Sequence, residues 1–232
     1  MSAFFRFPHT PHLVWLGDGQ PRDDKALTPH DVRDLLAHDV VVEEKIDGAN
    51  LGFSVDEHGA LRAQNRGTYL PLEGGRGQFK PLKRWLQPRQ SELAAALFPD
   101  LILFGEWCYA VHSVRYTRLP DWFLAFDVYD RARGDFWSVS RRNALAERLG
   151  LATVPCLSAG KFDVPQLRAL LRNSQLSDGP AEGLYVRRDQ GDHLVVRAKL
   201  VRREFVQTID EHWSKRALET NGLAGDAGTE GS

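Results

Sequence analysis

Glu44-Lys45-Ile46-Asp47-Gly48 stands at the end of the apolar run Val40-Val41-Val42. A lysine between acids at a strand end has chemistry open to it beyond that of a surface charge. A free lysine titrates at about 10.4; held neutral in a pocket, its amine can attack phosphorus. Further along, Glu106 closes the apolar stretch that begins at Leu101, Glu182 introduces Gly183-Leu184-Tyr185-Val186, and Arg197 and Lys199 lie two positions apart. Strand alternation puts those two cations on one face. Cations beside carboxylates are what a metal-bound polyphosphate needs, because cations neutralise phosphate oxygens and carboxylates hold a hard divalent ion. Taken alone, Lys-x-Asp-Gly reads first as a strand followed by an Asp-Gly turn with a solvated lysine.

The elements that must position these residues follow from pattern. Thr28 caps a predicted helix over Thr28 to Ala37, with Pro29 at its first position. Val40 to Glu44 predicts a strand, Leu51 to Val55 an alternating second one, and Leu61 to Gln64 a third after the turn Asp56-Glu57-His58-Gly59. Lys45 thus falls at a junction between strands. Helices are expected over Ser91 to Phe98, Ser140 to Leu149 and Val164 to Leu171. Further strands are expected over Leu101 to Trp107 and Trp122 to Tyr129. Leu184 to Arg188 and His193 to Lys199 predict a hairpin around Asp189 to Asp192. Residues 71–90, rich in Gly, Pro and basic side chains, predict an exposed, mobile loop. This irregular order points to α+β, with antiparallel β-sheets and flanking helices. One domain over 1–215 is expected, with a lead-in over 1–39 and a flexible tail over 216–232.

Bulk properties narrow the partners. Among 232 residues, 42% are hydrophobic, enough for a core, and 30 basic side chains meet 31 acidic ones. That balance gives no global signal for nucleic acid, yet leaves room for a local basic groove. Cys108 and Cys156 lack zinc spacing and read as reduced, mostly buried thiols. No stretch approaches the ~20 apolar residues of a membrane span, and the N-terminus lacks a signal-peptide core. A protein of the cytoplasm, without a membrane partner, is the expectation.

Five short motifs follow one another: Lys45-Ile46-Asp47-Gly48, Phe104-Gly105-Glu106, Phe126-Asp127, Glu182-Gly183 and Arg197-Ala198-Lys199. In that order the chain resembles the covalent nucleotidyltransferases, the polynucleotide ligases and mRNA-capping enzymes. Glu44 before Lys45, Asn50 after it, and Arg66 in Asn65-Arg66-Gly67 bring the resemblance closer to ATP-dependent RNA ligases of the phage-type nick-sealing group. The resemblance implies an ATP-grasp-like nucleotidyltransferase domain of the ligase type, here without an OB-fold domain. It implies that Lys45 takes AMP from ATP and passes it to RNA bearing a 5′-phosphate, which a 3′-hydroxyl end then joins, as in RNA repair. By the same resemblance Lys45, Arg197 and Lys199 are catalytic. Glu44 reads adenine and Phe126 stacks on it, Ile46 belongs to the nucleotide pocket, and Glu106 contacts ribose. Asn50 and Arg66 hold phosphate, and Glu182 holds Mg2+ (or Mn2+). Burial, the metal and the cations Arg197 and Lys199 are expected to push the Lys45 pKa down. Arg197 stands where many relatives carry lysine. Arg76, Lys80, Lys83, Arg84 and Trp85, with His112, Arg115, Tyr116 and Arg118, read either as RNA contacts or as a charged loop with Trp85 buried. Two other readings remain: a DNA ligase-like adenylyltransferase with another acceptor, and a non-catalytic nucleotide-binding module. Oligomeric state is open.

Overall fold

The computed structural model describes residues 4–18, 26–207 and 218–225. The first helix, α1 (Pro29–Leu36), starts where the sequence places it. Thr28 accepts from the Asp31 amide, Asp31 accepts in return from the Thr28 amide, and Pro29 opens the helix. Such a box contributes about 1 kcal/mol, which matters for a helix too short to persist alone. The valine run continues as β1 (Val40–Lys45), and after three residues the chain re-enters sheet structure as β2 (Ala49–Val55) and β3 (Leu61–Gln64). Then come β4 (Tyr69–Leu70), a 3-10 turn over Gly77–Phe79, α2 (Leu82–Leu86), α3 (Gln90–Leu97), β5 (Leu101–Trp107) and β6 (Phe123–Asp130). The chain continues through β7 (Asp135–Phe136), α4 (Val139–Arg148), β8 (Cys156–Gly160) and α5 (Val164–Leu170) to the hairpin β9 (Gly183–Gln190) and β10 (His193–Val201), then α6 (Arg203–Gln207). Among the described residues no helix is long and apolar enough to cross a membrane.

Two antiparallel sheets carry the fold, so the α+β expectation holds. One runs β10-β9-β1-β8; the other runs β4-β3-β2-β5-β6-β7. Because β1 belongs to the first and β2 to the second, the link Ile46-Asp47-Gly48 crosses from sheet to sheet. Alternation along β1 sends Val40 and Val42 into a core with Leu35, Leu167, Leu184, Val186, Ala198 and Leu200, under the four-stranded sheet. It sends Glu43 and Lys45 to the opposite face, toward the second sheet. A separate core, including Phe53, Trp85, Leu93, Leu97 and Trp107, packs against the six-stranded sheet.

The N-terminal lead-in is stitched into both sheets. Phe5 stacks on Tyr129 at 3.8 Å between ring centroids, and its carbonyl accepts from Gln64 Nε2 at 2.8 Å. Phe7 meets the rings of Phe104, Phe126 and Phe136. Past it, the Lys199 amide donates to Pro11 and the Leu13 amide donates to Lys199, so this segment lies along the outer edge of β10.

Three expectations change. Residues 71–90 are not one open loop, because α2 turns Leu82, Trp85 and Leu86 inward, and Trp85 Nε1 donates to Asp121 at 2.7 Å. Lys83 and Arg84 stay exposed on the other side of that helix. Cys108 is buried, but Cys156 is exposed, because it sits on β8 at the border of the four-stranded sheet. Residues 218–225 fall within the expected flexible tail, yet they are bonded to the body. Val111 donates to Glu219, Gly222 to Tyr116 and Ala224 to Leu119. Residues 216–217 and 226–232 lie outside the described ones.

Candidate active site

Lys45 is the last residue of β1, and Gly183 is its partner on β9. That register brings Glu182 alongside, and Lys45 Nζ donates to Glu182 Oε2 at 2.5 Å. Only 17% of the lysine side chain and 14% of the glutamate side chain reach solvent. The close packing needs Gly183, because a Cβ there would sit 2.4 Å from the Leu200 carbonyl oxygen. The crossover has the same requirement at Gly48, where a Cβ would meet the Trp107 carbonyl oxygen at 2.7 Å. With that space kept, the Gly48 amide donates to Glu106 Oε1 at 3.1 Å.

The electrostatics reverse one expectation. Burial alone would lower the Lys45 pKa, but Glu182, Tyr185, Glu106 and Asp47 together outweigh it, and the pKa is raised above its ordinary value. The lysine therefore rests as an ammonium ion. The sequence placed acids near it without showing that they face it. The carboxylates respond in the complementary sense. Burial, reinforced by Asp47 for both and by Glu182 for Glu106, pushes Glu106 up to about 8 and Glu182 to about 7, against the pull of Lys45. Lys199, near enough to act on Glu182, lowers it in part.

Asp47 faces two ways. Its amide donates to Tyr116 Oη at 2.8 Å, and its Oδ2 accepts from the amides of Ser113 and Val114 at 2.6 and 3.1 Å. These bonds tie the crossover to the loop after β5. Glu44 points away from Lys45, buried at 1% exposure. It accepts from the Gln175 amide at 2.9 Å, and burial raises its pKa. Its other oxygen is buried without a hydrogen-bond partner. An acceptor left like that costs free energy unless a ligand supplies a donor.

The remaining predicted residues are distributed unevenly. Asn50 is directly opposite Glu106 across the β2–β5 pairing, with Oδ1 buried and unbonded. Ile46 is buried in the core between the sheets, with Phe126 in the same core. Phe126 occupies the irregularity between β5 and β6 and packs edge-on against Phe7. Arg66 is half-buried with its Nε unbonded, near enough to Arg197 to push against its charge. Lys199 pairs with Tyr185, in the row of Glu43 and two rows from the Lys45–Gly183 pair.

Arg197, expected to be catalytic through its charge on phosphate, has its guanidinium engaged within the protein. It is buried, bonded to Asp127, and lies over the rings of Phe7 and Phe136 at 4.5 and 4.3 Å. Burial lowers its pKa. It belongs to a second charged cluster that sequence reasoning missed. Arg187 donates to Asp127 Oδ1 at 2.7 Å and approaches Glu43 at 3.7 Å, while Arg142 donates to Glu43 Oε1 at 2.6 Å. Arg142 and Arg187 also both donate to the Phe126 carbonyl. The doubled buried arginines at positions 187 and 197, paired across β9 and β10, were the available signal.

The suggested RNA-facing residues are largely engaged elsewhere. Tyr116 is fully buried, Arg115 pairs with Glu219 and Arg118 with Asp178. His112 Nε2 lies 3.0 Å from Gln78 Oε1, and burial lowers its pKa. Lys83 pairs with Glu73, and Arg76, Lys80 and Arg84 are exposed.

Among the described residues no group of three or more His, Cys, Asp or Glu side chains is arranged to hold a metal by itself. The donor chemistry still fits a hard divalent ion. Glu182 supplies carboxylate oxygen in a pocket overloaded with negative charge, and an ion of the Mg2+ type takes one or two carboxylates and completes its shell with water and substrate phosphates.

A family model described as RNA ligase matches residues 38–201. No curated protein matches the chain significantly. Solved structures share the fold. Naegleria gruberi RNA ligase with PPi has a TM-score of 0.62 and 18% identity, over 78% of this chain and 54% of that one. A lysine mutant of that ligase with ATP and Mn gives 0.63 and 16%, over 87% and 63%. Another with AMP and Mn gives 0.59 and 15%, over 89% and 64%. The chain thus spans less than two thirds of the length of these ligases.

Proposed function

Because the chain belongs to the RNA ligase family, we propose that it is an ATP-dependent RNA ligase, joining a 5′-phosphate end to a 3′-hydroxyl end through AMP carried first on Lys45 and then on the RNA. The observation that carries this reading is the half-closed pocket in which Lys45 Nζ meets Glu182 at 2.5 Å, with Glu106 and Asp47 acting on the same amine.

In the first transfer, the Lys45 amine attacks the α-phosphorus of ATP. A nitrogen–phosphorus bond forms, and the bond to the β-phosphate oxygen breaks with its electron pair leaving on pyrophosphate. Lys45 must give up its proton first, and Glu182 is the acceptor already in hydrogen-bond contact. In the second transfer, an oxygen of the RNA 5′-phosphate displaces Lys45 and takes the AMP. In the third, the 3′-hydroxyl attacks that 5′-phosphorus and AMP departs. Each displacement is favoured by holding the reacting groups in line.

The residues divide this work. Glu44 offers its unbonded oxygen to the amino edge of adenine, and Phe126 with Ile46 forms the apolar side of the base pocket. Glu106, raised to about 8, keeps its proton at neutral pH and is suited to hydrogen-bond ribose hydroxyls. Asn50, Arg66 and Lys199 face phosphate; Arg197 contributes charge from behind Asp127. Glu182 would hold a divalent cation, Mg2+ or Mn2+, which when bound supplies positive charge to the phosphates. The same reading assigns the protein to RNA repair in the cytoplasm.

Incubation with ATP and Mg2+ or Mn2+ followed by intact-mass measurement tests it. One AMP is expected on the wild type and none on Lys45→Ala. Chase with matched nicked RNA and nicked DNA decides the acceptor. AMP on the Lys45→Ala protein would overturn the mechanism, and joining of DNA alone would overturn the substrate.

A further inference from the structure

Residues 218–225 form a strap along the loop that follows β5, and one side chain in it is placed unlike the others. Asn221 is 5% exposed. Its Nδ2 donates to the carbonyls of Cys108 and Ala110 at 2.8 and 3.0 Å, and its Oδ1 accepts from the Tyr116 amide at 2.8 Å. Its own amide donates to the Tyr109 carbonyl at 3.0 Å. An amide side chain alone combines two donors and an acceptor at this reach, and the partners fix which end is which. The residue it grips at the amide, Tyr116, receives the Asp47 amide on its hydroxyl. Asp47 is two residues after Lys45, and its carboxylate caps the Ser113 and Val114 amides of the same loop. The route from strap to nucleophile is therefore continuous: Asn221, the Tyr116 backbone, the Tyr116 hydroxyl, the Asp47 amide, Lys45.

We infer that Asn221 is a positioning residue for Lys45: it sets the height of Tyr116, which in turn sets the crossover carrying the nucleophile. The strap closes this network from outside the span matched by the family model, 38–201. A buried network of this kind is rigid only when every member is satisfied, so loss at one end is felt at the other. The inference rests on the ligase reading for its rate measurement, but not for its structural measurement.

Two measurements on the full chain test it. Hydrogen–deuterium exchange of the peptide containing Asp47 is expected to quicken in Asn221→Ala and in Asn221→Asp, which keeps the shape and turns a carboxylate on two carbonyls. The single-turnover rate of AMP transfer to Lys45 is expected to fall about 10- to 100-fold in both, the scale produced by small misplacement of a reacting group, with ATP affinity unchanged. Tyr116→Phe cuts the same route at its other end without disturbing the strap. Combined with Asn221→Ala, it should add little to the rate loss. Glu219→Gln, which alters only the exposed pair with Arg115, should leave the rate within about twofold. Unchanged exchange at Asp47 in the Asn221 variants, or fully additive rate losses, would overturn the inference. If the wild type takes no AMP, the ligase reading fails instead, and exchange at Asp47 alone decides the role of Asn221.

Discussion

Two clusters of buried charge sit on the face of the four-stranded sheet turned toward its partner sheet. Glu43, Asp127, Arg142, Arg187 and Arg197 form one. Here every carboxylate meets a guanidinium, and Arg142 and Arg187 each place a further donor on the Phe126 carbonyl. Lys45, Asp47, Glu106 and Glu182 form the other, with Lys45 bonded to one carboxylate while the remaining acids act on it. The clusters are two residues apart on β1, yet in the first three guanidiniums meet two carboxylates, each in contact with two of them, whereas in the second three carboxyl groups share one ammonium. Pairing in the first fixes how the sheets face each other. In the second, Glu106 and Glu182 hold protons near neutral pH that an entering cation would displace.

The comparison can be broken. Arg187→Met should remove about 3–5 kcal/mol of stability by taking away the guanidinium that Asp127 and Glu43 share, leaving each buried carboxylate with one partner, read as a lower urea midpoint. Glu182→Gln should leave the urea midpoint close to the wild type but slow AMP transfer to Lys45 roughly 100-fold, the scale of losing one preorganised electrostatic group. If the two variants exchanged these phenotypes, the division into a structural and a chemical cluster would be wrong.

A third test uses pH. Glu106 and Glu182 titrate at about 8 and about 7 in the fold, against an ordinary 4.5. Between those values the native state binds more protons than the unfolded one, so stability should fall as pH rises from 4.5 to 8. Lys45 does not offset this trend. Its raised pKa gives a contribution that is complete below 10.5 and is lost only above it. Melting temperature against pH should therefore slope downward, and the slope should flatten in Glu182→Gln; an upward slope would contradict the surplus of carboxyl groups. The smallest effect belongs to a pair outside both clusters. Lys83→Ala removes an exposed partner of Glu73, and the urea midpoint should not move measurably.

Much of this was legible in the sequence, for reasons that differ by residue. The valine run, the alternation of Leu51 to Val55 and the acidic turn of the last hairpin are local patterns, and each became the strand or turn expected. Thr28 and Pro29 announced α1, and the structure adds Asp31 to the cap. By contrast β8, spelled Cys-Leu-Ser-Ala-Gly, has the composition of a loop and is a strand because β1 offers it an edge. Trp85 was left open between an RNA contact and a buried ring, and the helical spacing of α2 turns it inward beside the exposed Lys83 and Arg84. Lys45 was found through its company of motifs, but its charge state was misjudged. The distance that decides it, to Glu182, joins residues far apart in the chain and leaves no local mark. The roles of Arg187, Tyr116 and Asn221 escaped for the same reason, since the partners that define them are 60 or more positions away.

The first residues of the chain have a further consequence. The outer strand of the four-stranded sheet, β10, would expose free backbone groups at Lys199 if Pro11 and Leu13 did not occupy them. A bare strand border is a template for another chain. A shortened protein lacking the segment through Leu13 would thus present that border to its own copies. Its first symptom would be self-association and precipitation, added to the loss of the Phe7 packing against Phe126 and Arg197.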